Sequence, residues 1–328
     1  MDWNMLSEIL IAAIVQGVPL LYGATGEILS EKSGNLNLGI PGIMYVGGIS
    51  GVIGAFFYER STTEPNVFLS IAIPFFAALI GAGLMSLIYC FLTVTLRANQ
   101  NVTGLALTTF GVGIGNFFGS SIMKMFGLTG SIDLTQTSRY FKTSIPFGDE
   151  PNFFEKTFLS FGFMTYLSIV IAICASLYLS KTRSGLNLRA VGESPATADA
   201  AGINVTRYKY LSTTIGGMIA GLGGLYFVID YVGGGWTNEG FGDRGWLAVA
   251  IVIFALWRPR SAILSSFLFG GLLIISTKVS GLTSAQSELI KMLPYLVTIV
   301  VLVVTSLRKK REYQPPASLG LSYFREDR

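Results

Sequence analysis

The 328-residue chain has no histidine, only two cysteines and little charge, with Asp, Glu, Lys and Arg making up 13% of it. Without histidine or a Cys-x-x-Cys pair, transition-metal sites and His-based catalysis are excluded, and no metal-ligating residue is assigned. No G-x-x-x-x-G-K-[ST] sequence occurs, so the chain lacks the phosphate loop that binds ATP in the usual way. Gly111, Gly113 and Gly115 fall inside an apolar run, without the preceding strand and helix start that a dinucleotide fingerprint requires. No nucleophile, base and orienting group recur at a recognisable spacing, which leaves an intramembrane enzyme a distant third reading. Cys90 and Cys174 both sit in apolar runs and are expected to be core thiols, with no disulfide or redox role.

Apolar residues are abundant instead. They form 51% of the chain and give a mean hydropathy of +0.58, the composition of an all-α polytopic membrane protein. The first apolar run is about as long as a spanning helix and has no Lys or Arg before it, so Met1 is expected to be the mature start rather than the beginning of a cleaved signal. The net charge of +4 is spread over loops and the tail, a topological signal rather than a footprint for nucleic acid. Arg308, Lys309, Lys310 and Arg311 follow the last run and are expected to anchor at the lipid interface.

At roughly 20 residues per crossing, spans are predicted near 6–29, 36–57, 67–94, 101–120, 160–181, 208–230, 245–257, 261–279 and 290–307. This predicts a bundle of about eight to ten transmembrane helices forming one transmembrane domain over 1–311, with a cytoplasmic tail over 312–328. The positive-inside rule puts the basic tail, Arg97, the 181–209 loop and Arg258/Arg260 inside, and Met1 to Glu8 outside. The segment 121–159, with four basic and four acidic residues, then lies outside. The sequons at Asn101 and Asn204 fall inside and are read as chance.

Three runs break the pattern. The 245–257 run is too short to span upright, and Glu27, Glu31 and Lys32 interrupt the first two. Either Glu31 and Lys32 form a hairpin tip, or one or two helices are discontinuous and their irregular backbone is buried or faces a pathway. Gly-rich breaks at 34–39 and 233–245 precede comparable apolar runs, as two related halves would show. Among the 39 glycines, Gly47 with Gly51, Gly217 with Gly221, and Ala220 with Gly224 have the small-xxx-small spacing that lets helix backbones touch.

The polar interruption KTRSGLNLRAVGESPATADAAGINVTRYK, Lys181 to Lys209, carries five basic residues against Glu193 and Asp199. Ser194 as N-cap, Pro195 at the first helical position, an alanine-rich run and Gly202 as stop predict a short helix over 194–202.

The order Gly185 to Ile203, G-L-N-L-R-A-V-G-E-S-P-x-x-A-x-x-x-G-I, resembles the loop of ABC-transporter permeases of the branched-chain amino acid, ribose and nucleoside class. GEILSEKSGNLNLGIPGIM (Gly26 to Met44) resembles that family's early segment, with Lys32 in place of the usual Arg and Pro41 in place of a common Glu. FGDRGWLAVAIVIFALWRP (Phe241 to Pro259) resembles its late segment. The resemblance covers most of residues 20 to 305 and is nearest to the smaller nucleoside permease branch.

The resemblance implies a non-catalytic subunit of an ATP-driven importer in the prokaryotic plasma membrane, for nucleosides or a related small polar solute. It implies one or two ABC ATPases holding Mg-ATP, a second and larger permease, and an extracytoplasmic binding protein meeting the outer face near 121–159 and 231–244. No cofactor is expected on this chain. The coupling helix would engage the ATPase, and the residues carried over for that role are Gly185, Arg189, Gly192, Glu193, Ser194, Pro195, Ala198, Ala201 and Gly202.

Polar groups within the runs and aromatics able to stack on a base give the pathway candidates Glu27, Asn35, Asn37, Phe110, Asn116, Phe117, Asp230, Trp236 and Trp246. The competing reading is an ion-driven secondary transporter with Glu27 or Asp230 as coupling carboxylate. It would have no reason to shape the 181–209 loop in this way.

Overall fold

The structure is a computed structural model that describes residues 3–143, 153–278, 283–308 and 314–324. Helices dominate: α1 (Trp3–Glu31), α2 (Ile40–Ser61), α3 (Val67–Cys90), α4 (Gln100–Met125), α5 (Thr135–Phe141), α6 (Phe153–Phe158) and α7 (Phe163–Lys181). They are followed by α8 (Arg183–Glu193), α9 (Pro195–Ala200), α10 (Val205–Tyr226), α11 (Arg244–Phe254), α12 (Pro259–Lys278), α13 (Ser284–Lys291) and α14 (Leu293–Arg308). Wide π turns extend α3 over Phe91–Thr95 and α10 over Phe227–Tyr231. Among the described residues, the strands are β1 (Ile132–Asp133) and β2 (Gly235–Trp236), which pair antiparallel.

Among the described residues, seven helices are long and apolar enough to cross a membrane, and α11 and α12 contribute shorter apolar segments. Both long and short segments fall on the predicted runs, so the chain is an all-α multi-pass membrane protein. The 245–257 run is the short helix α11, followed by Leu256 and Trp257, both in the left-handed region with φ of 55° and 53°. The 181–209 loop holds two helices, α8 and α9, where sequence predicted one. Lys309, Lys310 and Arg311 of the expected basic anchor lie outside the described residues.

The centre is built from α1, α2 and α10. The most apolar stretches of α2 and α10 are each 78% buried, against 28% for α3, whose outer face carries Phe76, Ile80, Leu84 and Leu87. Small residues make this centre possible, as their spacing predicted. A Cβ on Gly47 would stand 2.5 Å from the Gly221 Cα, and one on Gly26 would overlap the Gly216 carbonyl. In lipid, where the hydrophobic effect does not draw helices together, such close backbone approach supplies the packing. Cys90 is buried as expected, but Cys174 is exposed, because it falls on the outward side of α7 rather than on the side packed against α1.

Two faces result. One carries the 31–34 turn, the α3–α4 connection, α8, α9 and the chain's last described residues. The opposite face carries the β1–β2 pair, which joins the 121–159 segment to the 231–244 segment.

Candidate functional site: coupling platform, re-entrant stretch and α4 face

The helix predicted over 194–202 is present with its grammar intact. The Ser194 hydroxyl accepts from the Thr197 amide at 3.4 Å, Pro195 opens the helix, and Gly202 follows it at φ +81°. Ala198 alone of α9 is buried, packed with Val191 and Val205. Ala196, Thr197, Ala200, Ala201 and Gly202 are exposed. One small apolar contact thus seats α9 while Ala196, Thr197 and Ala200 stay open.

Helix α8 connects this surface to the bundle. Thr182 caps it by accepting the Gly185 amide at 2.9 Å, and Gly185 itself lies on the end of α7, where a side chain would overlap the Tyr178 carbonyl. At the other end, a Cβ on Gly192 would overlap the Lys32 carbonyl and stand 3.2 Å from the Gly34 amide. Gly34, at φ +87°, occupies the left-handed region that a turn here needs. Lys32, Arg189, Glu193, Arg258 and Arg260 line a polar cleft of about 640 Å³ beside this contact. Burial, above all, lowers the Lys32 ammonium below its ordinary range, with Glu193 acting in the opposite direction.

From that turn the chain does not start a new helix at once. Asn35 to Gly39 runs without regular structure, with Asn35 and Asn37 wholly buried. Unpaired backbone at such depth would be costly, and neighbouring side chains satisfy it. Gln100 accepts the Leu36 amide at 2.8 Å, Glu27 accepts the Asn37 amide at 2.9 Å, and Asn37 accepts the Gly39 amide at 3.0 Å. Tyr89 donates to the Leu36 carbonyl at 2.5 Å, Thr108 to the Leu38 carbonyl at 2.7 Å, and Ser30 to the Asn35 carbonyl at 3.3 Å. Helices α1, α3 and α4 thus grip one re-entrant stretch. Pro41, standing where the resembled family commonly has Glu, is buried in the first turn of α2 against Gly245. Glu31 is buried next to this stretch and accepts from the Trp257 indole.

The remaining predicted residues fall in separate places. Phe110 and Phe117 project outward from α4, 54% and 66% exposed. Asn116 accepts from the Tyr45 hydroxyl at 2.6 Å, and that hydroxyl accepts from the Glu239 amide at 2.7 Å. Trp236 is buried edge-on to Tyr45 at 5.1 Å, in room left by Gly115 and Gly119. Asp230 lies in the π turn after α10, with Oδ2 unpaired and shielded among the described residues. Trp246 is half-buried on α11, away from the α4 group.

Sequence reasoning missed Arg244 and Gln16. The Arg244 guanidinium stacks over Phe227 at 4.5 Å, donates to the Phe241 carbonyl at 3.0 Å and to Gln16 Oε1 at 3.3 Å. Gln16 in turn donates to the Tyr231 hydroxyl at 2.6 Å. A lone polar residue in the apolar run of α1, and an arginine at the edge of a short one, were the signals available.

The outward face of α4 differs from that of α3. At helical spacing it presents the exposed Thr109, Gly113 and Ser120, with the half-buried Asn116 between them bonded to Tyr45, and a Cβ on Gly113 would meet nothing in this chain. Asn238, from the loop after β2, donates to the Ser120 hydroxyl at 2.7 Å, extending the polar strip.

A multi-pass bundle with a capped helix displayed on one face and a polar strip on an outward helix has the form of the membrane part of a transporter. The family model for the permease component of the branched-chain amino acid transport system matches residues 9–302, and the chain belongs to that family. It is 32% identical over 304 residues to the nucleoside ABC transporter permease protein NupC of Lactococcus lactis subsp. cremoris, covering 92% of this chain and 93% of that protein. It is 30% identical over 303 residues to the guanosine ABC transporter permease protein NupQ of Bacillus subtilis, covering 91% and 92%. A putative glucose ABC transporter permease protein, TsgC13 of Haloferax volcanii, is 30% identical over 346 residues, covering 98% and 99%. The chain is therefore an ABC-transporter permease, a non-catalytic membrane subunit, and its family implies an ATPase and a substrate-binding protein as partners.

Proposed function

We propose that this chain is a permease subunit of an ATP-driven importer for nucleosides or a related small polar solute, working by alternating access and coupled through α9 to a separate ATPase. The observation that carries the coupling is the display of α9. It is capped at both ends, seated through the small buried Ala198, and joined through Gly192 to the turn that begins the re-entrant stretch. Mg-ATP is hydrolysed on the partner, and the resulting movement of α9 reorients the attached helices as rigid bodies. The relatives named for nucleosides and guanosine support the solute class. The face with α8 and α9 is cytoplasmic in this reading. The opposite face, where β1 and β2 tie the 121–159 and 231–244 segments together, receives the binding protein.

A second, larger permease completes the pathway, and the strip Thr109, Gly113, Asn116 and Ser120 faces it. A polar strip on a membrane helix is costly against lipid and inexpensive against water or a partner. The aromatics Phe110 and Phe117 flank the strip and offer stacking surfaces for a base.

Two measurements test this reading. Ala201→Glu, on the exposed side of α9, is expected to leave the protein folded in the membrane while uptake of radiolabelled nucleoside falls at least tenfold. Unchanged uptake would remove α9 from the coupling. Gly113→Leu is expected to fold normally, since its Cβ meets nothing in this chain, while uptake again falls at least tenfold. Normal uptake in that variant would place the pathway elsewhere.

A further inference from the structure

The chain's last described segment, 314–324, runs across the α8–α9 face instead of trailing from it. Ser318 donates through its amide at 3.0 Å and its hydroxyl at 2.6 Å to the Gly192 carbonyl. The Gly320 amide donates to the Gly34 carbonyl at 3.2 Å, and the Ala317 amide to Glu193 Oε2 at 3.4 Å. Further on, Ser322 donates to the Arg97 carbonyl at 3.4 Å, and the Arg97 guanidinium covers the Phe324 ring at 4.6 Å. The Tyr323 hydroxyl donates to Asp199 of α9 at 2.8 Å. Pro316 and Ser318 are buried in this contact.

One side chain relates this strap to the interior. Gln100, 2% exposed, donates to the Leu321 carbonyl at 3.4 Å and accepts the Leu36 amide of the re-entrant stretch at 2.8 Å. The strap therefore touches α9 at one end, the α8–turn contact in its middle, and through Gln100 the buried backbone that α1, α3 and α4 grip. Helix α9 itself packs on α8 and on the start of α10. Without the strap, its movement would reach the bundle through Gly192 and the start of α10.

We infer that the C-terminal segment 314–324 is a transmission clamp, which holds α9, the 31–34 turn and the re-entrant stretch as one body so that ATPase movement is delivered to the pathway. Tyr323 is its positioning residue on α9, and Gln100 its link inward. This rests on the coupling role proposed for α9.

The test uses the complete transporter, permease chains with ATPase and binding protein, reconstituted in proteoliposomes. ATP hydrolysis and nucleoside uptake are measured on the same preparation. Deleting residues 314–328 is expected to preserve co-purification of the ATPase and to keep hydrolysis within about twofold, while uptake per ATP falls at least tenfold. Tyr323→Phe, which removes one hydroxyl and endangers no fold, is expected to lower the same ratio about threefold to fivefold. An unchanged ratio in the deletion would overturn the clamp, and so would loss of uptake in parallel with loss of ATPase binding, since the segment would then be a docking surface. Ala201→Glu in the same assay separates the two levels. If that variant hydrolyses and transports normally, the coupling role of α9 fails; if it is inactive while the deletion transports normally, only the clamp fails.

Discussion

Gly26→Leu is expected to lower the yield of folded protein in the membrane severalfold. Helices α1 and α10 meet backbone to backbone at this point: a Cβ on Gly26 would overlap the Gly216 carbonyl, and one on Gly216 would overlap the Gly26 carbonyl. Neither obstacle is a flexible side chain that could rotate away. The helices would have to separate toward the usual 8–10 Å between axes, and the contacts around them would be lost with the movement. Overpacking a well-packed core costs about 1–3 kcal/mol, and a clash with backbone at the centre of the bundle lies at or beyond the upper end. Against a total stability of about 5–15 kcal/mol, that loss is large, because in lipid no hydrophobic gain between helices offsets it. The measurement is the yield of monodisperse protein on size exclusion after mild solubilisation, with resistance to added protease as a second readout. Gly113→Leu is the matched control, carrying the same change on a helix surface that meets nothing in this chain, and its yield is expected to equal that of the parent.

The difference between those two glycines shows where sequence reasoning reached and where it stopped. The small-xxx-small spacing of Gly47, Gly51, Gly217, Gly221 and Gly224 was legible because a helix has a fixed period, so a repeat of four residues implies a shared face. The same logic found the spans and the caps of α9, since Ser194, Pro195 and Gly202 each do a local job. What the chain did not disclose was pairing at long range. Glu27, Asn35 and Asn37 read as pathway residues because polar groups in an apolar run are suspicious by default. In the structure Glu27 and Asn37 accept the backbone amides of Asn37 and Gly39, and Asn35 donates to the Thr213 hydroxyl. Tyr89, Gln100 and Thr108, which bond the backbone of Leu36 and Leu38, belong to helices whose local sequence gives no hint of it. The strap of 314–324 was equally silent, because a short polar tail has no period and its contacts depend on backbone carbonyls that exist in every sequence. The α4 strip was half legible: Phe110, Asn116 and Phe117 were singled out, whereas Thr109, Gly113 and Ser120 gained meaning only when the helix's outward side was known.

Gly192→Val is expected to uncouple transport from ATP hydrolysis while leaving the bundle intact. Gly192 ends α8 where the helix lies directly on the 31–34 turn, and its missing side chain is what permits the contact, since a Cβ would overlap the Lys32 carbonyl. The site lies on the α8–α9 face, outside the helices that build the core, so displacement of α8 need not disturb α1, α2 or α10. A shift large enough to relieve the clash also lengthens the Ser318 bonds to the Gly192 carbonyl and moves Gly34 away from the strap. The α8–turn contact and the strap would loosen together, leaving α10 as the remaining route from α9, so the effect should exceed that of deleting the strap alone. Uptake is expected to fall at least about thirtyfold with hydrolysis largely retained, equivalent to about 2 kcal/mol of lost coupling at 1.4 kcal/mol per tenfold. Gly192→Ala sets the scale: its smaller group meets the same carbonyl but permits a shorter displacement, and it should lie between the parent and the valine variant. Measuring uptake and phosphate release on one set of proteoliposomes decides the outcome. Equal losses in both activities would mean that Gly192 seats the ATPase, whereas loss of uptake alone would mean that it carries the ATPase's movement inward.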